Sequence, residues 1–267
     1  MPTVLACVNL KGGVGKTTLA VNFAAYCGLK GYKTLLIDLD PQTNATLSCI
    51  PYEKWQEHSK DNGTVADLLG VRSHTSGDGE RKKAEDVIIE EVFKGVDLIP
   101  SHLDLFTVDL DLGAASAREK LLKRALKDVI DDYDIIVCDC PPNLTIPTQN
   151  AIALSSHYVI PVSPDFLSSI GVGLLKNRIA VLADALEVDI KPAGIVISRV
   201  GRTSYYRERT IQTLREEFDD VLDTTLTERS KVSEGTETQK NVFSYGDRSA
   251  ISEFEAVSAE ILERLGL

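Results

Sequence analysis

The most constraining feature of this chain is an apolar segment, Thr3 to Asn9, that runs straight into Leu10-Lys11-Gly12-Gly13-Val14-Gly15-Lys16-Thr17-Thr18 and then into a helical pattern reaching Lys30. A strand, a glycine turn and a helix in that order form a cradle for anions. Glycine lets the backbone curl with its N–H groups pointing inward, and the first turn of the helix adds partial positive charge. Lys16 stands where an ammonium neutralises β- and γ-phosphates, and Thr17 where a hydroxyl ligates Mg²⁺. The spacing departs from the common G-x-x-x-x-G-K-[ST] pattern at its first position, which is Leu10, and adds Lys11 and a Gly12-Gly13 pair. A bare turn between strand and helix would leave Lys-Thr-Thr, in register with both elements, without a reason.

Short apolar strands alternate with helical stretches along the rest of the chain. Strands are expected at Thr3 to Asn9, Lys33 to Asp38, Asp97 to Pro100, Asp134 to Asp139, Tyr158 to Val162 and Ala193 to Ser198, with a weaker one near Val221. Helices are expected at Lys16 to Lys30, Ala115 to Asp131, Leu167 to Leu186, Tyr205 to Phe218 and Ser249 to Leu265. This rhythm predicts an α/β fold: a mostly parallel, twisted sheet covered by helices on both faces. Two strands end in carboxylates, Leu35-Leu36-Ile37-Asp38-Leu39-Asp40 and Ile135-Ile136-Val137-Cys138-Asp139. Ligands of open α/β sheets bind outside the carboxyl ends of the strands, so Asp38, Asp40 and Asp139 are expected to converge on the loop. A single strand-terminal Asp reads as a turn or cap residue. Three beside a phosphate loop read as hydrolytic and metal-binding chemistry.

With 267 residues, the chain is long enough for one large α/β domain, expected over 1–267, with a polar surface excursion between Pro51 and Asp86 that contains Asp61-Asn62-Gly63 and Ser76-Gly77-Asp78-Gly79-Glu80. The net charge of −11 argues against a protein that coats nucleic acid with its whole surface, but leaves room for a local basic patch. No apolar run approaches the roughly 20 residues of a membrane span, and no leader pattern opens the sequence, so a cytoplasmic chain is expected. Cys7, Cys27, Cys49, Cys138 and Cys140 lack a C-x-x-C spacing and are expected as packed free thiols. The four histidines are scattered, none with a partner at metal-ligand spacing.

These segments together resemble the deviant-Walker-A ATPases of the ParA/MinD family. The resemblance rests on Lys-Gly-Gly-Val-Gly-Lys-Thr-Thr, Asp-Leu-Asp-Pro-Gln, Asp-Cys-Pro-Pro-Asn, Asp97-Leu98-Ile99-Pro100-Ser101 and the Pro161-Val162 strand end. It implies ATP and Mg²⁺ as ligands and slow, partner-stimulated hydrolysis. Residues Lys11 through Thr18 (Lys11, Gly12, Gly13, Val14, Gly15, Lys16, Thr17 and Thr18) would hold the phosphates. Within that set the resemblance makes Lys11 the signature lysine reaching the partner's nucleotide across an ATP-sandwich homodimer, and Lys16 the lysine of its own site. Thr17, Asp38 and Asp139 would serve the metal, and Asp40 would orient the attacking water. Ser198, Arg199, Thr227, Glu228 and Arg229 are expected near the adenine, although the family's usual Pro-Arg-Asn is missing there.

Within that family, a basic patch decides the subclass. Arg199, Arg202, Arg207 and Arg209 lie within eleven residues beside Tyr205 and Tyr206, with Lys231, Lys240 and Arg248 as extensions. Such residues bind phosphates without reading sequence; the alternative is a solvated helix face. The expectation is a ParA-type ATPase, cytoplasmic and nucleoid-associated. Such a protein binds non-specific DNA and positions a plasmid, a chromosome or a protein body such as the carboxysome through a ParB-like or McdB-like adaptor. No helix-turn-helix precedes Thr3, which argues against operator-specific repression. A MinD-like membrane-associated regulator of division is the alternative, disfavoured by the acidic polar face of the segment from Ser252 to Leu267. A nucleotide-dependent module without hydrolysis is a third.

Overall fold

The computed structural model describes residues 1–71, 82–113, 117–165, 168–202 and 204–267. Seven strands form one sheet: β1 (Thr3–Cys7), β2 (Thr34–Asp38), β3 (Ile89–Phe93), β4 (Val96–Ile99), β5 (Ile135–Asp139), β6 (His157–Val162) and β7 (Lys191–Ile197). Their order is β3-β4-β2-β5-β1-β6-β7, and every pairing is parallel except that of β3 with β4. The α/β class expected from the alternation is the class observed.

Both faces of the sheet are buried, and the pleat sorts each strand between two cores. Val4, Ala6, Leu35, Ile37, Ile136 and Cys138 point into one, Leu5, Cys7, Leu36, Ile135 and Val137 into the other. The principal helices are α1 (Lys16–Leu29), α2 (Asn44–Cys49), α3 (Tyr52–Asp61), α4 (Ile146–Leu154), α5 (Ser168–Leu186), α6 (Tyr205–Glu217), α7 (Ser230–Glu237) and α8 (Arg248–Leu265). Side chains of α4, α5 and α6 enter the first core; those of α1, α2 and α8 enter the second. All five cysteines are free and buried, and burial pushes the thiols of Cys7, Cys27, Cys49, Cys138 and Cys140 up.

The structure departs from the sequence expectations in four places. The helix expected over Ala115 to Asp131 is broken into Arg118–Lys120, Leu121–Ala125 and Ile130–Asp132. Asn150 of α4 takes up the first interruption: its side chain accepts from the Leu122 amide at 2.9 Å and donates to the Arg118 carbonyl at 2.8 Å, the two groups a continuous helix would pair. Ala115 and Leu167, at which two helices were expected to begin, lie outside the described residues, as does Ser76-Gly77-Asp78-Gly79-Glu80. The polar excursion contains α3 and the turn Val65–Leu69. β3 was not expected; it is an edge strand with a register shift between Ile89 and Phe93, and Glu90 and Glu91 are exposed. At the other edge, Val221 contributes a single bridge to Ile195 of β7.

Candidate functional site

The glycine turn adopts the geometry its sequence demands. Gly13 and Gly15 sit at φ 72° and 86°, where a side chain is strained. Gly15 caps α1 without a side-chain hydrogen bond, so among the described residues no side chain occupies the amides of the helix's first turn. Lys16 is buried, and its Nζ donates to the Lys11 carbonyl at 3.1 Å. The loop is pinned to the sheet from both sides. Cys7 Sγ donates to the Lys16 carbonyl at 3.4 Å, and Ser198 Oγ, just past β7, donates to the Val14 carbonyl at 2.6 Å.

Parallel register brings the aspartates together: Asp139 of β5 pairs with Cys7 on one side and with Asp38 on the other. Both carboxylates are fully buried. Thr17 Oγ1 donates to Asp139 Oδ2 at 2.7 Å, while Asp139 Oδ1 is buried with no partner among the described residues. Burial, and then the neighbouring Asp38, push the Asp139 carboxyl well above the ordinary range against the pull of Thr17 and Lys16. An orphaned carboxylate oxygen beside a hydroxyl of the phosphate loop fits a Mg²⁺ site. Asp38 does not face that site with a spare oxygen. Its Oδ2 accepts from the amide and hydroxyl of Thr46 at 2.8 and 2.7 Å, and its Oδ1 from the Asp40 amide at 3.1 Å. Burial raises it to about 7 despite these donors. In this arrangement both oxygens of Asp38 hold the segment that carries Asp40 and Thr46.

Asp40 lines an open cleft of about 450 Å³ together with Gly12, Gly13, Gly15, Lys16, Thr17 and Thr18. Its far wall is Ser198, Arg199, Thr227, Glu228 and Arg229, so the residues expected near a base do share one cavity with the phosphate loop. Arg199, in left-handed backbone at φ 52°, donates through Nη1 to the Gly13 carbonyl at 2.5 Å and through Nε and Nη2 to Glu228 at 3.0 and 2.5 Å. Glu253 of α8 accepts from the Thr227 amide and hydroxyl, each at 2.9 Å, and from Arg229 Nη2 at 2.6 Å.

Lys11 points out of its own phosphate loop. Its Nζ pairs with Asp165, beyond the end of β6, whose carboxylate also accepts from Ser163 Oγ at 2.7 Å. Partial burial raises the Asp165 carboxyl, but Lys11, Ser163 and Ser168 outweigh it and hold it below the ordinary 3.8. The basic residues do not form one patch. Arg199 turns into the cleft. Arg202 and Arg209 are exposed, and Arg207 half-buried, around the start of α6, next to the exposed edge-to-face pair Tyr205 and Tyr206. Lys231 and Lys240 belong to the opposite helical layer and line a small pocket with Thr18, Asn22 and Ser48.

Sequence reasoning missed Thr46, Ser101 and Asp165. Ser101 gave a signal as the last residue of Asp97-Leu98-Ile99-Pro100-Ser101; Thr46 and Asp165 gave none, because their partners lie on other strands.

A family model described as an AAA domain matches residues 2–192. The chromosome-partitioning ATPase Soj of Treponema pallidum is 31% identical over 268 residues, covering 100% of this chain and 99% of Soj. Among solved structures, a plasmid partition protein of Borrelia burgdorferi B31 bound to AMPPNP superposes with a TM-score of 0.80 at 25% identity, covering 99% of this chain and 98% of that one. Apo McdA of Cyanothece superposes at 0.81 over 98% of this chain and 100% of its own, at 18% identity, a likeness of fold alone.

Proposed function

This chain belongs to the ParA/MinD family of P-loop ATPases, and we propose that within it the protein is a partition- or positioning-type ATPase whose ATP-bound dimer holds non-specific DNA. It hydrolyses ATP and uses Mg²⁺. The loop amides and Lys16 hold the β- and γ-phosphates. Thr17 and Asp139 would hold Mg²⁺, which when bound neutralises phosphate charge. Asp40 orients the attacking water, Asp38 fixes the segment carrying it, and Ser198, Arg199 and Thr227 through Arg229 surround the base. Chemistry of this kind needs positioning and charge neutralisation more than covalent participation. The whole chain acts as one unit.

Lys11 reaches the second copy's phosphates after leaving Asp165, which makes dimerisation conditional on nucleotide. Arg202, Arg207 and Arg209 form the DNA surface at the start of α6, flanked by two exposed tyrosines that can lie against the backbone. The protein thus resides on the nucleoid in the cytoplasm. A ParB-like or McdB-like adaptor stimulates turnover, and the cargo is a centromere complex or a protein body such as the carboxysome. The membrane-associated alternative needs a free amphipathic helix at α8. Phe254, Val257, Ile261 and Leu262 of that helix are instead buried in the core shared with α1, and no helix among the described residues is long and apolar enough to cross a membrane.

The observation that carries the reading is that Lys16, Thr17 and Asp40 line one cleft, with the buried Asp139 bonded to Thr17 and one of its carboxylate oxygens without a partner among the described residues. Asp40→Ala tests it. The variant should bind Mg·ATP, release phosphate at least about tenfold more slowly, and accumulate as dimer in light scattering. Full turnover with only monomer present would refute it.

A further inference from the structure

The strand end Pro100-Ser101 lies against the aspartate segment without a role in the reading above. Ser101 is fully buried. Its Oγ donates to the Asp40 carbonyl at 2.7 Å, and its amide donates to Thr46 Oγ1 at 2.9 Å. The hydroxyl of Thr46, also fully buried, donates to Asp38 Oδ2, and Asp38 Oδ1 accepts from the Asp40 amide. The bonds close a ring: Asp40, Ser101, Thr46, Asp38 and back to Asp40. At its Ser101 corner the ring is tied to α3: the indole N–H of Trp55 donates to the Ser101 carbonyl at 2.9 Å. Trp55 is the chain's single tryptophan. It lies in α3 between Tyr52 and His102, at centroid distances of 5.4 and 5.6 Å.

Backbone satisfaction explains only part of this ring: Thr46 Oγ1 and Asp38 Oδ1 accept from the Ser101 and Asp40 amides, but both hydroxyls donate to acceptors already served. The Asp40 carbonyl already accepts from the Thr43 amide at 2.9 Å, and Asp38 Oδ2 already accepts from the Thr46 amide. Each hydroxyl adds a second attachment to a group that has its first. Two attachments fix a direction where one leaves a hinge, and in a buried, low-dielectric setting connected hydrogen bonds reinforce one another. What they aim is the peptide carrying the Asp40 side chain.

We propose that Ser101 and Thr46 are positioning residues for ATP hydrolysis, holding the Asp38–Asp40 segment in the orientation that turnover requires, and that Trp55 reports the state of this ring. The proposal rests on the reading that Asp40 orients the attacking water, and the test separates the two. Four variants are compared with the full-length wild type: Ser101→Ala, Thr46→Val, Thr46→Ser and Asp40→Ala. Phosphate release gives kcat and KM for Mg·ATP, thermal melts check folding, and tryptophan emission is read before and after Mg²⁺ with a non-hydrolysable ATP analogue.

Loss of orientation by a fraction of an ångström lowers kcat about tenfold or more and leaves KM within about twofold. Ser101→Ala and Thr46→Val should both behave so. Thr46→Val keeps the side chain's shape but leaves the buried Ser101 amide without its acceptor, so turnover is read well below the melting temperature that the melts give. Thr46→Ser keeps the hydroxyl and should keep at least about half the wild-type kcat. The nucleotide-induced change in emission should shrink in Ser101→Ala although the analogue still binds. The proposal is overturned if Ser101→Ala and Thr46→Val turn over within about twofold of wild type while Asp40→Ala is inactive, or if Thr46→Ser falls as far as Thr46→Val. An active Asp40→Ala would instead remove the reading beneath, and the proposal with it.

Discussion

Asp139→Asn should make the nucleotide-free protein more stable and the nucleotide-bound protein less so. Asp139 and Asp38 are register partners at the carboxyl ends of β5 and β2, both fully buried. A carboxyl raised by burial keeps its proton in the folded chain and loses it in the unfolded one. Its contribution to stability is therefore full at low pH and lost as pH rises through the folded value. For Asp38 that window runs from 3.8 to about 7. At about 1.36 kcal/mol for each tenfold change in proton affinity, ionising it in place costs about 4 kcal/mol. Asp139 is raised for the same reason, by burial first and then by Asp38, with Thr17 and Lys16 pulling the other way, so removing its charge relieves a cost of the same kind. The carboxamide oxygen still accepts from Thr17, and its NH₂ takes the place of the partnerless Oδ1. Each kcal/mol of that relief should raise the melting temperature at pH 8.5 by about 2–4 °C for a chain of this size. Below pH 3.8, where the carboxyl is protonated in the unfolded chain as well, the two proteins should melt together. Adding Mg²⁺ with a non-hydrolysable ATP analogue should stabilise wild type and leave the variant nearly unmoved. Equal melting temperatures at pH 8.5, or an undiminished Mg²⁺ response, would refute the reasoning.

Lys16→Ala removes the main charge facing the phosphates and should weaken nucleotide binding at least about tenfold by titration. Lys11→Ala should leave monomer affinity within about twofold while reducing the dimer fraction in sedimentation with the analogue. Because the Lys11–Asp165 pair is exposed, at 56% and 38%, it holds Lys11 by no more than about 1 kcal/mol. Asp165→Asn should thus shift the dimerisation midpoint toward dimer by about fivefold at most for each of the two pairs the dimer breaks. Charge reversal of Arg202, Arg207 and Arg209 should lower DNA retention and flatten its salt dependence, with ATP-dependent dimerisation intact; unchanged retention would move the DNA surface elsewhere.

The phosphate loop and the two Asp-bearing strands were legible because each is a contiguous run whose chemistry and secondary structure are encoded within about ten residues. What stayed hidden depends on neighbours distant in sequence. Thr46 and Ser101 acquire meaning only when β2 and β4 lie side by side. Arg199 reads as one of a group of surface cations, yet a single left-handed φ turns it into the cleft. Asn150 takes up a break in a helix whose own sequence gives no reason for one. α3 escaped notice because its anchor is one buried tryptophan in an otherwise polar stretch, too little to set a period.

The sheet's two borders bear on how copies of this chain meet. An open row of strand amides invites pairing with another molecule. Here β3 is short and irregular, carries Glu90 and Glu91 outward, and has its Glu91 amide taken up by Asp97 at 2.8 Å. On the far border, Pro192 offers no amide, and the segment around Val221 exchanges bonds with Ile195. Neither border is left as a template for fibre-like stacking. On the proposed function, in which nucleotide-charged copies gather on DNA at high local density, this closure leaves the cleft face rather than a sheet border as the place for copies to meet.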